Sequence, residues 1–214
     1  MINNLLIFGD SYSTHKNHIP DDYDFYYCDE GGDWGEPVTK MLAEQTWWGH
    51  LLKNTDAKLI RNDSWSGSAI GYTGYAGDCS ETSSFICRYH KLLESGFFKE
   101  NAIDTILVFG GTNDSWCGAP LGEEMYSDWQ KEDLFSALPA ICYFMTKLKQ
   151  NHPDARLVFI ANCDIKTEIV QCIRNASKRL GVEFVELKGI DKLTRHPTIL
   201  GMQQIYEQIM EQIR

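Results

Sequence analysis

Hydrophobic and polar positions follow two periods along this chain. Residues 5–8, Leu-Leu-Ile-Phe, form an unbroken apolar run closed by Gly9-Asp10-Ser11, the pattern of a strand buried on both faces. Similar runs occupy 103–109, closed by Gly110-Gly111, and 156–161. Residues 58–60 form a weaker, polar-flanked candidate, and 182–186 alternate as an edge strand does. Between these runs the apolar spacing becomes helical, over 46–54, 85–93, 133–150, 166–180 and 200–213. The last helix carries Met202, Ile205, Ile209 and Ile213 on one face. Strand and helix in repeated alternation predict parallel βαβ units with right-handed crossovers, hence an α/β fold, a three-layer α/β/α sandwich of about five strands.

No repeat, low-complexity tract or Pro/Gly-rich linker interrupts the 214 residues, so a single domain spanning 1–214 is expected. One stretch, at about 15–45, is acidic, aromatic and turn-rich, and is longer than most connections in compact domains. It reads as an irregular insertion over one edge of the sheet. Lys and Arg number 20 against 30 Asp and Glu, a formal charge of −10, which disfavours nucleic acid and anionic lipid as partners. No apolar run approaches the ~20 residues of a membrane span. The seven cysteines show neither paired short spacing nor a zinc ligand pattern, so free thiols and no metal are expected. The first residues lack a basic segment, a long apolar stretch and an A-x-A site, which predicts a cytoplasmic location unless a leader precedes them.

Ligands of an open parallel sheet bind beyond the carboxyl ends of its strands, and three polar, glycine-containing clusters fall there. Gly9-Asp10-Ser11 ends the first strand, Asn62-Asp63-Ser64-Trp65-Ser66-Gly67 follows the second, and Gly111-Thr112-Asn113-Asp114 follows the third. His196-Pro197 precedes the last helix. These residue types suit acyl transfer. A serine hydroxyl becomes a nucleophile when a base such as imidazole takes its proton. The oxyanion that develops needs fixed donors, which the backbone amides of Ser11 and Gly67 and the side chain of Asn113 can supply. Each residue also has a plainer reading: Ser11 as a helix N-cap, Asn113 as a turn residue, His196 as a loop histidine.

The four blocks IFGDSYS, NDSWSGS, GGTND and RHPTILGMQQI, in this order, resemble the SGNH hydrolases, the GDSL esterase/lipase family. The resemblance implies a flavodoxin-like sheet, cofactor-free hydrolysis, Ser11 as nucleophile, His196 as general base and acid, and Ser11, Gly67 and Asn113 around the oxyanion. Members of the family act on acetylated sugars, lipids, thioesters and aryl esters. The chain departs from the family pattern where an Asp usually stands three residues before the histidine; here it is Leu193. Asp191, five residues before His196, is one candidate for orienting the ring; a backbone carbonyl or a distant acid are the others.

Trp65 and Trp116 sit inside or just after these blocks, where flat rings suit sugar, aryl or acyl groups; packing in the core is the alternative. Trp34, Trp47 and Trp48 lie in or beside the insertion and are candidates for packing it down. The reading favoured is a serine esterase acting on small carboxylic esters, O-acetyl groups on a carbohydrate foremost. A catalytically weak glycan-binding protein on the same fold is the alternative, and within enzymes a thioesterase or lysophospholipase-type lipase.

Overall fold

The computed structural model describes residues 2–31 and 39–213. Its central sheet contains β1 (Asn4–Gly9), β2 (Lys58–Ser64), β3 (Thr105–Phe109), β4 (Arg156–Ala161) and β5 (Glu183–Glu186). All pairings are parallel and the order is β2-β1-β3-β4-β5, the flavodoxin-like arrangement. The unbroken apolar runs follow from burial on both faces. Leu6 and Phe8 join a core with Ile106, Val108, Leu157 and Phe159, against α2 (Phe85–Glu94), α5 (Ala137–Asn151) and α6 (Thr167–Leu180). Their neighbours Leu5 and Ile7 point the other way, into a second core with Leu107, Phe109, Val158 and Ile160, beneath α1 (Trp47–Asn54) and α7 (Ile199–Gln212). Two short helices, α3 (Phe97–Glu100) and α4 (Thr112–Trp116), complete the set.

The register brings the carboxyl ends of three strands to one level. Gly9 lies opposite Ser64 on one side and Phe109 on the other. The clusters after β1, β2 and β3 therefore leave the sheet side by side. The sheet order reverses at β1, so this is the topological switch point, where open α/β sheets bind ligands.

The expected helix over 133–150 divides in two. Residues Lys131–Phe135 form a 3-10 turn, Ser136 is extended, and α5 begins at Ala137. Pro139 is the cause: lacking an N–H, it is accommodated in a first helical turn but not deeper in a continuous helix. The carbonyls of Leu134 and Phe135 instead accept from the Tyr72 amide and the Thr73 hydroxyl, at 2.8 and 2.7 Å. These bonds fasten a small hairpin, Thr73–Gly74 paired with Gly77–Asp78, to the rim of the site. β2 also runs further than its apolar residues suggest, taking in Asn62, Asp63 and Ser64 as buried polar residues.

Within the stretch read as an insertion, Tyr26, Tyr27 and Cys28 are buried, with Tyr27 bridged to His15 and Cys28 to Lys40. The indoles of Trp47 and Trp48 are buried and donate to the Ser13 hydroxyl and carbonyl, at 3.1 and 2.9 Å. Trp34 lies outside the described residues. All seven cysteines are free. Among the described residues no helix is long and apolar enough to cross a membrane.

Candidate active site

Ser11 sits in the tight turn after β1. The Asp10 carboxylate holds that turn by accepting from the Tyr12 amide at 3.0 Å, and the Asp10 carbonyl accepts from the Ser13 amide at 3.0 Å. Complete burial pushes the Asp10 carboxyl up to about 7, against the pull of the Tyr12 amide. Gly9 admits no side chain, since a Cβ there would lie 2.4 Å from the Ser64 hydroxyl and 2.5 Å from the Ser13 Cβ. Beneath the turn, Arg88 is fully buried. It pairs with Asp63 at 2.7 Å and donates to the Gly9 carbonyl at 3.2 Å and the Ser68 hydroxyl at 3.1 Å. One guanidinium thus joins the ends of β1 and β2 to the loop that carries Gly67.

His196 lies on a second hairpin, Lys192–Leu193 paired with His196–Pro197. The two linking residues, Thr194 and Arg195, both have positive φ, 48° and 73°, as a primed two-residue turn requires. Three buried tyrosines grip this hairpin. The hydroxyl of Tyr12 donates to the Arg195 carbonyl, and that of Tyr27 to the Pro197 carbonyl at 2.9 Å. Tyr26 stacks on the imidazole at 3.6 Å between centroids, with 12° between the planes. The result places His196 Nε2 3.0 Å from Ser11 Oγ. Nδ1 lies 3.4 Å from the Thr194 carbonyl oxygen.

Asp191, considered for orienting the ring, is engaged elsewhere. Its carboxylate accepts from the Thr198 hydroxyl. Thr198 in turn caps α7 by accepting from the Gly201 amide at 3.2 Å. Lys192 on the same hairpin pairs with Asp164 at 2.6 Å, a contact that holds the Asp164 carboxyl below its usual range.

Gly67 has φ +76°, a conformation that favours glycine, and a Cβ there would meet Tyr75 Cδ2 at 3.9 Å. The amide N–H groups of Ser11 and Gly67 donate to no protein acceptor among the described residues. Asn113, in the first turn of α4, donates from Nδ2 to the Ser68 carbonyl at 2.9 Å; its Oδ1 accepts from the Tyr75 hydroxyl at 3.2 Å. Next to it, both oxygens of the buried Asp114 accept from the Ile70 amide, at 3.1 and 2.9 Å, which ties the Asn113 turn to the Gly67 loop.

Ser11, Gly67, Asn113 and His196 line one pocket of about 200 Å³, walled by Tyr26, Tyr75 and Trp116. Trp116 is fixed there by an indole N–H donated to the Asp164 carbonyl at 3.0 Å. Trp65 is not part of the lining: it stacks on Tyr23 at 4.3 Å and donates to Asp24 at 2.9 Å, packing the insertion down. Sequence reasoning passed over Tyr12, Tyr26, Tyr75 and Arg88. Only Tyr12, adjacent to Ser11, and Tyr75, in the glycine-rich GYTGYAG turn, carried a local signal. One group of potential metal ligands occurs among the described residues, Glu124 with Cys142 and Cys172. The two thiols meet at 3.7 Å between α5 and α6 and take no part in this pocket.

Residues 3–213 match the GDSL-like lipase/acylhydrolase family. A Bacteroides ovatus structure described as a GDSL-like lipase is 36% identical, covers 99% of this chain and 97% of its own, and superposes with a TM-score of 0.88. A second, from Bacteroides uniformis and described likewise, is 39% identical, covers 99% and 95%, and also has a TM-score of 0.88. An acetyl xylan esterase from Butyrivibrio proteoclasticus, 18% identical, covers 98% of this chain and 62% of its own, with a TM-score of 0.60, and shares the fold. No curated protein matches the sequence. The chain therefore belongs to the GDSL-like lipase/acylhydrolase family, the SGNH-type serine ester hydrolases.

Proposed function

We propose that this protein removes small acyl groups, acetyl foremost, from a carbohydrate or similar neutral alcohol through an acyl-enzyme on Ser11. The observation that carries this reading is the 3.0 Å contact between Ser11 Oγ and His196 Nε2 at the floor of a small pocket. An acceptor at Nδ1, the Thr194 carbonyl at 3.4 Å, favours the tautomer whose Nε2 lone pair faces the serine. As Oγ attacks the ester carbonyl, Nε2 takes its proton. The oxyanion then settles among the Ser11 and Gly67 amides and the second N–H of Asn113 Nδ2. His196 returns the proton to the departing alkoxide, and water repeats the sequence on the acyl-enzyme with His196 as its base.

The acidic surface, net −10, repels anionic substrates, which speaks for a neutral alcohol over acyl-CoA or a phospholipid head. The acetyl xylan esterase that shares the fold is in keeping with a carbohydrate ester. Ser11→Ala is expected to abolish p-nitrophenyl acetate hydrolysis while leaving the melting temperature unchanged. A fluorophosphonate is expected to label the native protein at Ser11. Wild-type turnover in the variant, or a native serine that resists the probe, would overturn the reading.

A further inference from the structure

The carboxamide of Asn113 works only one way round. Its Nδ2 end can donate to an oxyanion, whereas its Oδ1 end would repel one. Two contacts decide which end goes where. The Ser68 carbonyl, 2.9 Å from Nδ2, accepts one of the two amide hydrogens. The Tyr75 hydroxyl, 3.2 Å from Oδ1, engages the other end. A carboxamide held at both ends has one N–H left, and Asn113 lines the pocket.

We propose that Tyr75 is a positioning residue, whose hydroxyl locks the Asn113 carboxamide with its donor toward the developing oxyanion. This rests on the esterase reading and assigns a residue outside the four motif blocks to its machinery. Tyr75 stands at the tip of the hairpin and the residue is 60% exposed, yet its hydroxyl end is bonded to Asn113. Burial pushes the phenol above its ordinary range, so it remains a proton donor at neutral pH. The hairpin is not a loose flap. Its first strand is held by the Tyr72 amide and the Thr73 hydroxyl on the carbonyls before α5. The Cys117 thiol meets the Thr73 carbonyl at 3.4 Å, which joins the hairpin to the end of the helix carrying Asn113. Tyr75 also lies over Gly67, so a single side chain spans two of the three oxyanion donors.

The test is a double-mutant cycle with Tyr75→Phe, which keeps the ring and removes only the hydroxyl, and Asn113→Ala. Removing an oxyanion donor costs about 10²–10³ in kcat; loss of its orientation should cost part of that, about tenfold. Tyr75→Phe should therefore lower kcat for p-nitrophenyl acetate about tenfold, with KM little changed and fluorophosphonate labelling of Ser11 retained. In the Asn113→Ala background the same change should have no further effect. Unaltered kcat in Tyr75→Phe, or an equal loss in both backgrounds, would overturn the proposal. A second readout is independent of turnover: the two Asn113 side-chain amide protons should give sharp, separate NMR signals in the native protein and exchange-broadened ones in Tyr75→Phe. Identical signals in both would also overturn it. A native protein that neither hydrolyses esters nor takes the probe would instead refute the esterase reading, and the amide signals would still decide the role of Tyr75.

Discussion

At the scale of single residues, buried groups outside the pocket lining, Asp10 and Arg88 among them, help to arrange the site. Asp10 stands next to Ser11, yet its carboxylate turns inward to the Tyr12 amide, and burial moves it up to about 7. The consequence for stability has a definite sign. Below the unfolded value near 3.8 both states carry the proton. Between there and about 7 the unfolded chain has lost it while the native protein keeps it, so each rise in pH favours unfolding. The stability contributed by Asp10 is therefore present in acid and lost as pH rises through about 7. Asp10→Asn keeps an acceptor for the Tyr12 amide and cannot titrate. Its melting temperature should fall less than the native protein's between pH 4 and 8, a window set by that shift. Parallel curves would show that Asp10 does not titrate there. Asp114 is also raised by burial and is present in both proteins, so the difference between the two curves reports Asp10 together with its repulsion from Asp114.

At the scale of elements, the hairpin of residues 192–197 determines where the imidazole lies. It docks on α7 without room to spare: a Cβ on Gly201 would fall 2.0 Å from the Asp191 carbonyl oxygen. Gly201→Ala must push hairpin and helix apart, and His196 moves with the hairpin. Overpacking of this kind costs about 1–3 kcal/mol, and a displacement near 1 Å at a reacting group can cost about 10² in rate. The expected outcome is a lower melting temperature with kcat reduced by up to about 10²-fold and a slower fluorophosphonate reaction. A variant with native kcat would show that the hairpin is not held from this side.

The same scale separates what was legible in the sequence from what was not. Burial on both faces leaves an apolar run, and helical contact with a sheet leaves an apolar stripe; from these the five strands and the long helices could be read directly. Motif residues at strand ends were legible because the sheet brings strand ends together. The hairpin under His196 was not: it spans two residues on each side, and Thr194 and Arg195 take positive φ without the glycine or asparagine that usually marks such a turn. Nor does a local pattern distinguish Trp116, which lines the pocket, from Trp65, whose partners Tyr23 and Asp24 lie some forty residues away along the chain. Arg88 reads as one more polar position on a helix until the fold buries it beneath Gly9.

At the scale of the whole molecule, the size of the pocket limits the substrate. At about 200 Å³ it is smaller than the roughly 300–1,000 Å³ of sites that enclose a drug-sized ligand. Its walls are anchored: Trp116 through the Asp164 carbonyl, Tyr75 through Asn113, and Tyr26 against the imidazole ring. Walls held in this way do not give way to a longer acyl chain, so one that outgrows the space must lie outside it. Each methylene properly enclosed by an enzyme pocket is worth about 1–3 kcal/mol. Methylenes that find no enclosure gain none of this. Across p-nitrophenyl acetate, butyrate and octanoate, kcat/KM should fall at least about tenfold from the shortest ester to the longest. Enlarging the wall with Trp116→Ala, which leaves Ser11, His196, Gly67 and Asn113 in place, should narrow that gap by improving the octanoate. Rates that rise with chain length in the native protein would mean that a long acyl chain finds a groove of its own, and the small-acyl reading would give way to that of a lipase.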